Sequence, residues 1–365
     1  MTARTVVVAP DSFKGSASAA DVAEAIAAGW AQVRPEDAVV LAPTADGGEG
    51  TLEAFAVAVP GAQRRPVRVL GPSGDEVDAS WLALPDGSAL VELAETSGLG
   101  LLRTPAPFDA HTVGFGQAIA AALDAGATSL LLAIGGSAST DGGAGALTAL
   151  GARFSDVDGL PVTPGNRGLE ELARADLSGL RPLPPGGVRI LSDVTNPLLG
   201  ARGAAAVFGP QKGASPGDVP LLDAGLARFA DVLGAEVAVD EPGTGAAGGT
   251  GYGLRVWGAT MTPGAPAVAE ALGLAARIAA ADLVITGEGR YDSQSASGKA
   301  PEYVAELARR AGVPILLVAG AIAAEPSGFA DAVALAALAG DSAAAIADPL
   351  RWARAAGAAL ATRAG

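Results

Sequence analysis

Short runs of β-branched and leucine residues alternate along this chain with alanine-rich stretches, and this alternation restricts the fold more than any other feature. The runs fall at 5–9, 38–42, 130–134, 188–191, 283–286, 315–318 and 332–336. Each suits one strand, whereas the alanine-rich stretches between them favour helix. Strand, helix, strand in succession implies parallel pairing, because parallel neighbours need a long crossover. Residues 67–93 differ: VRVL, GPSGDEVDASWLAL and PDGSALVEL read as antiparallel strands with a PDG turn. The expected fold class is therefore α/β. The runs near 5, 38, 283, 315 and 332 form a flavodoxin-like doubly wound parallel sheet of order 2-1-3-4-5, interrupted by a second, inserted α/β domain. The expected division is 1–65 with 282–365 for the flavodoxin-like domain and 66–281 for the insertion, with the active site in the cleft between them. The Pro/Gly-rich stretches at 181–187 and 242–253 read as loops.

Composition removes several kinds of chemistry. With no cysteine and one histidine there is no disulfide framework, thiolate zinc site, iron–sulfur cluster, cysteine nucleophile or multi-histidine metal site. A net charge of −15 argues against broad capture of nucleic acid or an anionic membrane, both of which need a basic face. Half of the residues are apolar, yet no spanning segment of about 18 residues emerges. The stretch 118–134 is broken by Asp124, and 311–324 contains Pro314. The N-terminal apolar run is shorter than a signal-peptide core of about 7 to 15 residues. The expectation is a soluble cytoplasmic protein acting on small molecules; a homo-oligomer is left open.

In an open parallel sheet, ligands bind beyond the carboxyl ends of the strands. The polar, glycine-rich segments lie there: APDSFKGSASA (9–19), ADGGEGT (45–51), GGSASTDGGAG (135–145), SDVTNPLLG (192–200) and TGEGRYDSQSASGKAP (286–301). FGPQKGA (208–214) and GTGAAGGTGYG (243–253) are two more, and all seven are expected to converge on one cleft.

Lysine is the sharpest signal. The chain has three, Lys14, Lys212 and Lys299, against 21 arginines, and each stands beside glycine in one of these loops. A compact ammonium next to glycine-rich backbone is a recurring way to hold phosphoryl oxygens. Lys299 also reads as a helix-start residue. Asp11, Asp46, Glu49, Asp141, Asp193, Glu288 and Asp292 share the same loops. Phosphoryl transfer from a nucleotide needs such carboxylates, for magnesium and for the acceptor's proton. Asp11 and Asp141 also read as helix caps, and Asp46 as a turn former. The GTGAAG at 243–248 matches the dinucleotide fingerprint, but neither a strand before it nor a helix after it is evident. His111 reads as a cap or surface residue.

The ordered motifs APDSFKGS, ADGGEGT, GGSASTDGGAG, SDVTNPLLG with FGPQKGA, GAAGGTGYG and GEGRYDSQSASGKAP resemble those of the bacterial type 1 glycerate kinase family, over about residues 5 to 320. The resemblance implies ATP-dependent phosphorylation of glycerate with magnesium, a flavodoxin-like domain carrying an inserted α/β domain, and 2-phosphoglycerate as product. The chain departs from the family pattern at Thr140, where asparagine is usual, and at Val113, where an aromatic residue is usual. Roles then follow from chemistry. Lys14 and Lys212 neutralise phosphates; Asp46, Glu49 and Glu288 are magnesium candidates; Asp193 is the expected base, with Asp46 next. Arg290 or the turn Gly135, Gly136, Ser137 suits the glycerate carboxylate. Asp11, Ser12, Gly47, Gly48, Asp141, Asn196, Gln211 and Lys299 complete the binding set. The rival readings are a non-catalytic sensor of a sugar acid or nucleotide, and an oxidoreductase using the 243–248 glycines.

Overall fold

Val6, Val7, Val8 and Ala9 have no solvent exposure, as expected of a strand covered on both faces. The computed structural model describes residues 3–292 and 300–364. Among these the strands run, in chain order, β1 (Thr5–Pro10), β2 (Ala38–Leu41), β3 (Gln63–Leu70), β4 (Glu76–Ala83), β5 (Ser88–Glu92), β6 (Ser129–Ala133) and β7 (Arg153–Ser155). They continue as β8 (Arg174–Asp176), β9 (Val188–Leu191), β10 (Thr260–Thr262), β11 (Leu283–Tyr291), β12 (Ile315–Ile322) and β13 (Asp331–Ala334).

The chain divides into two units. The first comprises Met1–Asp46, Glu53–Pro60 and Ala265–Gly365. Its sheet has the order β13-β12-β11-β1-β2, with every neighbouring pair parallel. Numbered within the unit, this is the expected 2-1-3-4-5 arrangement. The helix Ala19–Val33 opens where the Ser18 hydroxyl accepts from the Asp21 amide, and it buries Val22, Ile26 and Trp30. Arg34, which follows it, is 1% exposed and paired with Asp37 at 2.6 Å. That pair holds the Asp37 carboxyl down at about 2.

The second unit comprises Gly47–Leu52 and Gly61–Gly264. Its main sheet has the order β10-β9-β6-β5-β4-β3. The β3, β4 and β5 strands pair antiparallel, and β5, β6, β9 and β10 pair parallel. The PDG segment makes the β4–β5 turn, with Gly87 at φ +85°. Phe154, Phe229 and Tyr252 meet edge to face at the centre of its core.

Four sequence expectations are corrected. The unit boundary lies at 264/265 and not at 281/282, because Ala269, Leu274 and Ile278 pack with Val7 and Val284 in the first unit. Residues 47–52 and 61–65 belong with the second unit, the latter because β3 already begins at Gln63. Residues 250–253, read as loop, open the helix Thr250–Trp257: Tyr252, Leu254 and Trp257 are buried, and this packing overrides the weak propensity of the glycines. Glu288–Tyr291, also read as loop, continue β11, because β12 offers a matching ladder with Glu288 opposite Ala319 and Arg290 opposite Ala321. Among the described residues no helix is long and apolar enough to cross a membrane.

Candidate functional site

In the first unit, the loop after β1 turns back at once. Phe13 plugs the core at 2% exposure, Gly15 takes φ +77°, and Lys14 is lifted to the tip. The Lys14 Nζ lies 3.3 Å from Asp46 Oδ2, with the lysine side chain 66% exposed. Asp11 is buried and its Oδ1 accepts from the Ser12 amide at 2.6 Å. Burial first, and then the negative charge of Asp46, pushes the Asp11 carboxyl up to about 7. Partial burial pulls the Lys14 ammonium down, but Asp46, Asp11 and Glu288 outweigh it and leave it raised. Glu288 is buried at the end of β11. Ser12, Lys14, Ser16, Glu288, Arg290 and Asp292 line one cavity of about 400 Å³, together with Phe13, Gly289, Gly320, Ala321, Leu335, Ser342, Ala345, Ile346 and Pro349. Arg290 Nε stands 3.5 Å from Asp292 Oδ2.

In the second unit, a cavity of about 450 Å³ is lined by Glu49, Gly135, Gly136, Ser137, Ser192, Gln211 and Lys212, with Leu99, Gly100, Ile134, Val194, Phe208 and Ala247. Lys212 ends the short turn Pro210–Lys212, followed by Gly213 at φ +90°. It is 1% exposed. Its Nζ donates to Ser137 Oγ at 2.8 Å and to the Ser139 carbonyl. Among the described residues no carboxylate pairs with it. Burial drives its ammonium down to about 7, against the opposing pull of Asp141. The segment 246–249 closes over this lysine. A Cβ on Gly248, at φ +68°, would strike the Ser139 carbonyl and lie 2.7 Å from Lys212 Nζ, so only glycine fits. Ala247 beside it is the only non-glycine residue with positive φ among those described, at 53°.

The DGGEGT loop abuts this cavity through bare backbone. The Gly135 amide donates to the Gly47 carbonyl at 3.3 Å, and a Cβ on Gly47 would lie 2.6 Å from the Leu191 carbonyl oxygen. Any side chain at Gly135 would strike Gly48. Sequence reasoning missed Glu92, which fixes this loop: its carboxylate accepts from the Gly50 and Leu52 amides at 2.8 and 2.7 Å. Burial raises the Glu92 carboxyl to about 7. An acid closing the otherwise apolar run SALVE was the available signal.

The expected residues thus fall in two sets. Asp11, Ser12, Lys14, Asp46, Glu288 and Arg290 lie in the first unit; Gly47, Gly48, Glu49, Gly135, Gly136, Ser137, Gln211 and Lys212 lie in the second. The magnesium candidates Asp46 and Glu288 therefore belong to one unit and Glu49 to the other. Asp193 is exposed between the lining residues Ser192 and Val194, and its Oδ1 accepts from the Gly264 amide at 2.9 Å. Asp141 is fully buried. Its carboxylate takes the Thr112 amide and hydroxyl and the Gly143 and Gly145 amides at 2.8–3.2 Å, so in this structure it organises the loop. Asn196 likewise fastens its own loop by donating to the Arg202 carbonyl at 2.8 Å. Lys299 lies outside the described residues. His111, read as a cap or surface residue, is 5% exposed, and its Nδ1 accepts from the Val113 amide at 3.4 Å.

Comparison with known proteins decides what these loops belong to. The family model described as "Glycerate kinase family" matches residues 6–364. The chain belongs to the glycerate kinase family. It is 44% identical over 325 residues to a protein named "Glycerate 2-kinase" from Escherichia coli K12, covering 87% of this chain and 85% of that one. It is also 44% identical over 327 residues to a "Glycerate kinase" from Bacillus subtilis 168, again over 87% of this chain and 85% of the relative. A crystal structure titled as a putative glycerate kinase 2 from Salmonella typhimurium LT2 superposes with a TM-score of 0.84 at 39% identity, covering 99% of this chain and 98% of the other. Membership of the glycerate kinase family makes the chain a kinase. Packing accounts for Gly248 of the GTGAAG segment, which lies against Ser139 and Lys212.

Proposed function

We propose that the chain transfers the γ-phosphoryl group of ATP to the 2-hydroxyl of D-glycerate, with magnesium. Membership of the family supports the substrate, and the name of the Escherichia coli relative supports the 2-position. The observation that carries the reading is Lys212, an ammonium withdrawn from water, held by neutral oxygens and lining a cavity with Gly135, Gly136, Ser137 and Gln211. A cation kept without a carboxylate partner has its charge available for an incoming anion.

In this reading Lys212 and the Gly135–Ser137 turn take the glycerate and the moving phosphoryl group. Lys14 takes the nucleotide phosphates, and Asp193 accepts the hydroxyl proton. Arg290 or the glycine turn receives the glycerate carboxylate, and Ser12, Gln211 and Lys299 complete the set. Magnesium fits the first unit's donors. Asp11, Asp46 and Glu288 are hard oxygen ligands, and the Asp11 carboxyl, raised by burial first and then by the negative charge of Asp46, marks a place short of positive charge. Among the described residues no cluster of three or more acidic or histidine side chains has metal-binding geometry. In this reading one or two of these carboxylates would hold the ion together with substrate phosphate and water. Bound there, the ion would neutralise charge on the phosphates.

Phosphorus NMR of a reaction with D-glycerate and ATP tests the whole reading. A phosphomonoester doublet, from coupling to one methine proton, is expected, and it should vanish when EDTA removes magnesium. A triplet would mean the 3-position, and no phosphoglycerate would end the proposal.

A further inference from the structure

The cavity of the first unit lies beyond the carboxyl ends of β1, β11, β12 and β13, beside the β1/β11 switch point of the 2-1-3-4-5 sheet. Doubly wound sheets open their ligand crevice there, because crossovers on the two sides of that point run to opposite faces. The lining divides by segment. The loop after β1 and the end of β11 bring the charges and most of the hydroxyls, Lys14 among them, whereas residues 335–349 bring Leu335, Ala345, Ile346 and Pro349 with the single hydroxyl of Ser342. Ile346 is 64% exposed; the other exposed large apolar residues of this unit stand at 37–40%. A hydrocarbon side chain left in water on the rim of a cavity that is charged elsewhere matches a ligand with an anionic end and a flat, weakly polar end. Glycerate, with three carbons each bearing oxygen, has no face to offer it. A nucleotide has both.

We infer that residues 335–349 form the base-binding wall of the nucleotide site, with the base seated on Ile346 and Pro349, Leu335 backing the wall from the core, and the phosphates directed to Lys14. This deepens the proposed function and rests on it for the identity of the ligand. Nothing in the sequence motifs pointed to this wall, since the segment is alanine-rich and carries no glycine-bordered cation.

The test uses the full chain with Ile346→Gln and, as the conservative control, Ile346→Leu. The position is exposed, so neither change strains the core. The glutamine variant should raise the KM for ATP and the Ki for ADP about five- to tenfold, as expected for losing apolar contact with a base. Ile346→Leu should hold both within about twofold. Inhibition by inorganic tripolyphosphate, which has the phosphates and no base, and the KM for D-glycerate should each move less than about twofold. The assignment is overturned if ATP and ADP are unaffected, if tripolyphosphate weakens equally, or if the loss falls on glycerate. Calorimetry with ADP separates this from the functional reading. A wild type that binds ADP but makes no phosphoglycerate removes the glycerate reaction; a five- to tenfold weaker ADP affinity in the glutamine variant would still support the wall.

Discussion

Lys14 and Lys212 look alike in sequence, each a rare lysine in a glycine-bordered loop, yet their surroundings differ in almost every respect. Lys14 is largely in water, tied to Asp46 and made more basic by three carboxylates. Lys212 is sealed from water, touches only neutral oxygens and is pushed towards neutrality. Arg34, also buried, shows the usual solution for a cation in a core, a carboxylate at 2.6 Å. Lys212 lacks that solution. The first lysine is a permanent charge whose effect water weakens; on the proposed reading the second acquires its full charge when an anion arrives, and then acts where water does not screen it.

The contrast breaks most visibly in turnover. Lys212→Met should lower kcat about a thousandfold, roughly 4 kcal/mol of transition-state stabilisation, while circular dichroism reports an intact fold. Gly248→Ala should approach that loss, because its Cβ would strike the Ser139 carbonyl that accepts from the lysine, and crowd the lysine Nζ itself. Lys14→Ala should cost about a hundredfold, and added salt should erode the wild type's advantage over it. Equal losses from the two lysines, or a Lys212→Met enzyme close to wild type, would end the distinction.

Titration sharpens the same contrast. The folded Lys212 loses its proton near 7, whereas an unfolded lysine keeps it to about 10.4. Between those values the unfolded chain binds more protons, so stability must rise with pH, by up to about 1.4 kcal/mol per unit. Asp11 and Glu92, both raised to about 7, act in the other direction but only below that pH. Thermal melts from pH 7.5 to 9.5 should therefore show wild type gaining on Lys212→Met as pH climbs. No such differential gain is expected for Lys14→Ala, whose lysine remains charged throughout. A flat difference for Lys212→Met would mean that its ammonium is not suppressed.

Much of the fold was legible, for identifiable reasons. Parallel strands covered on both faces are continuous apolar runs, so the runs at 5–9 and 315–318 announce the strands Thr5–Pro10 and Ile315–Ile322, and the PDG turn marks the antiparallel step. Boundaries were lost where tertiary pairing overrides composition: GEGRY stays in a strand because β12 runs alongside, and TGYG opens a helix because Tyr252 and the following Leu254 and Trp257 are buried. The loops carrying Lys14 and Lys212 were found through the scarcity of lysine. Composition could not tell which lysine is buried, because that depends on Gly248 and Ser139, which lie far from Lys212 in the chain. Asp141 was read both as a ligand and as a helix cap, and the structure shows how it organises its loop. An acid among glycines reads as a ligand until the amides that saturate it are seen.

The smallest expected effect isolates backbone from charge. Gly15 adjoins Lys14 much as Gly248 adjoins Lys212, and both have positive φ, +77° and +68°. A Cβ on Gly15 would meet nothing within 4 Å, so Gly15→Ala adds left-handed strain and no collision. The cost should be about 1 kcal/mol of stability, read from urea denaturation, with turnover reduced no more than about threefold. Because Lys14 reaches its partners through an exposed, flexible side chain, a modest shift of its backbone can be absorbed; Lys212, boxed in by Gly248, has no such slack. If Gly15→Ala lost activity as heavily as Gly248→Ala, Lys14 would need the same rigid placement as Lys212, and exposure would no longer distinguish the two.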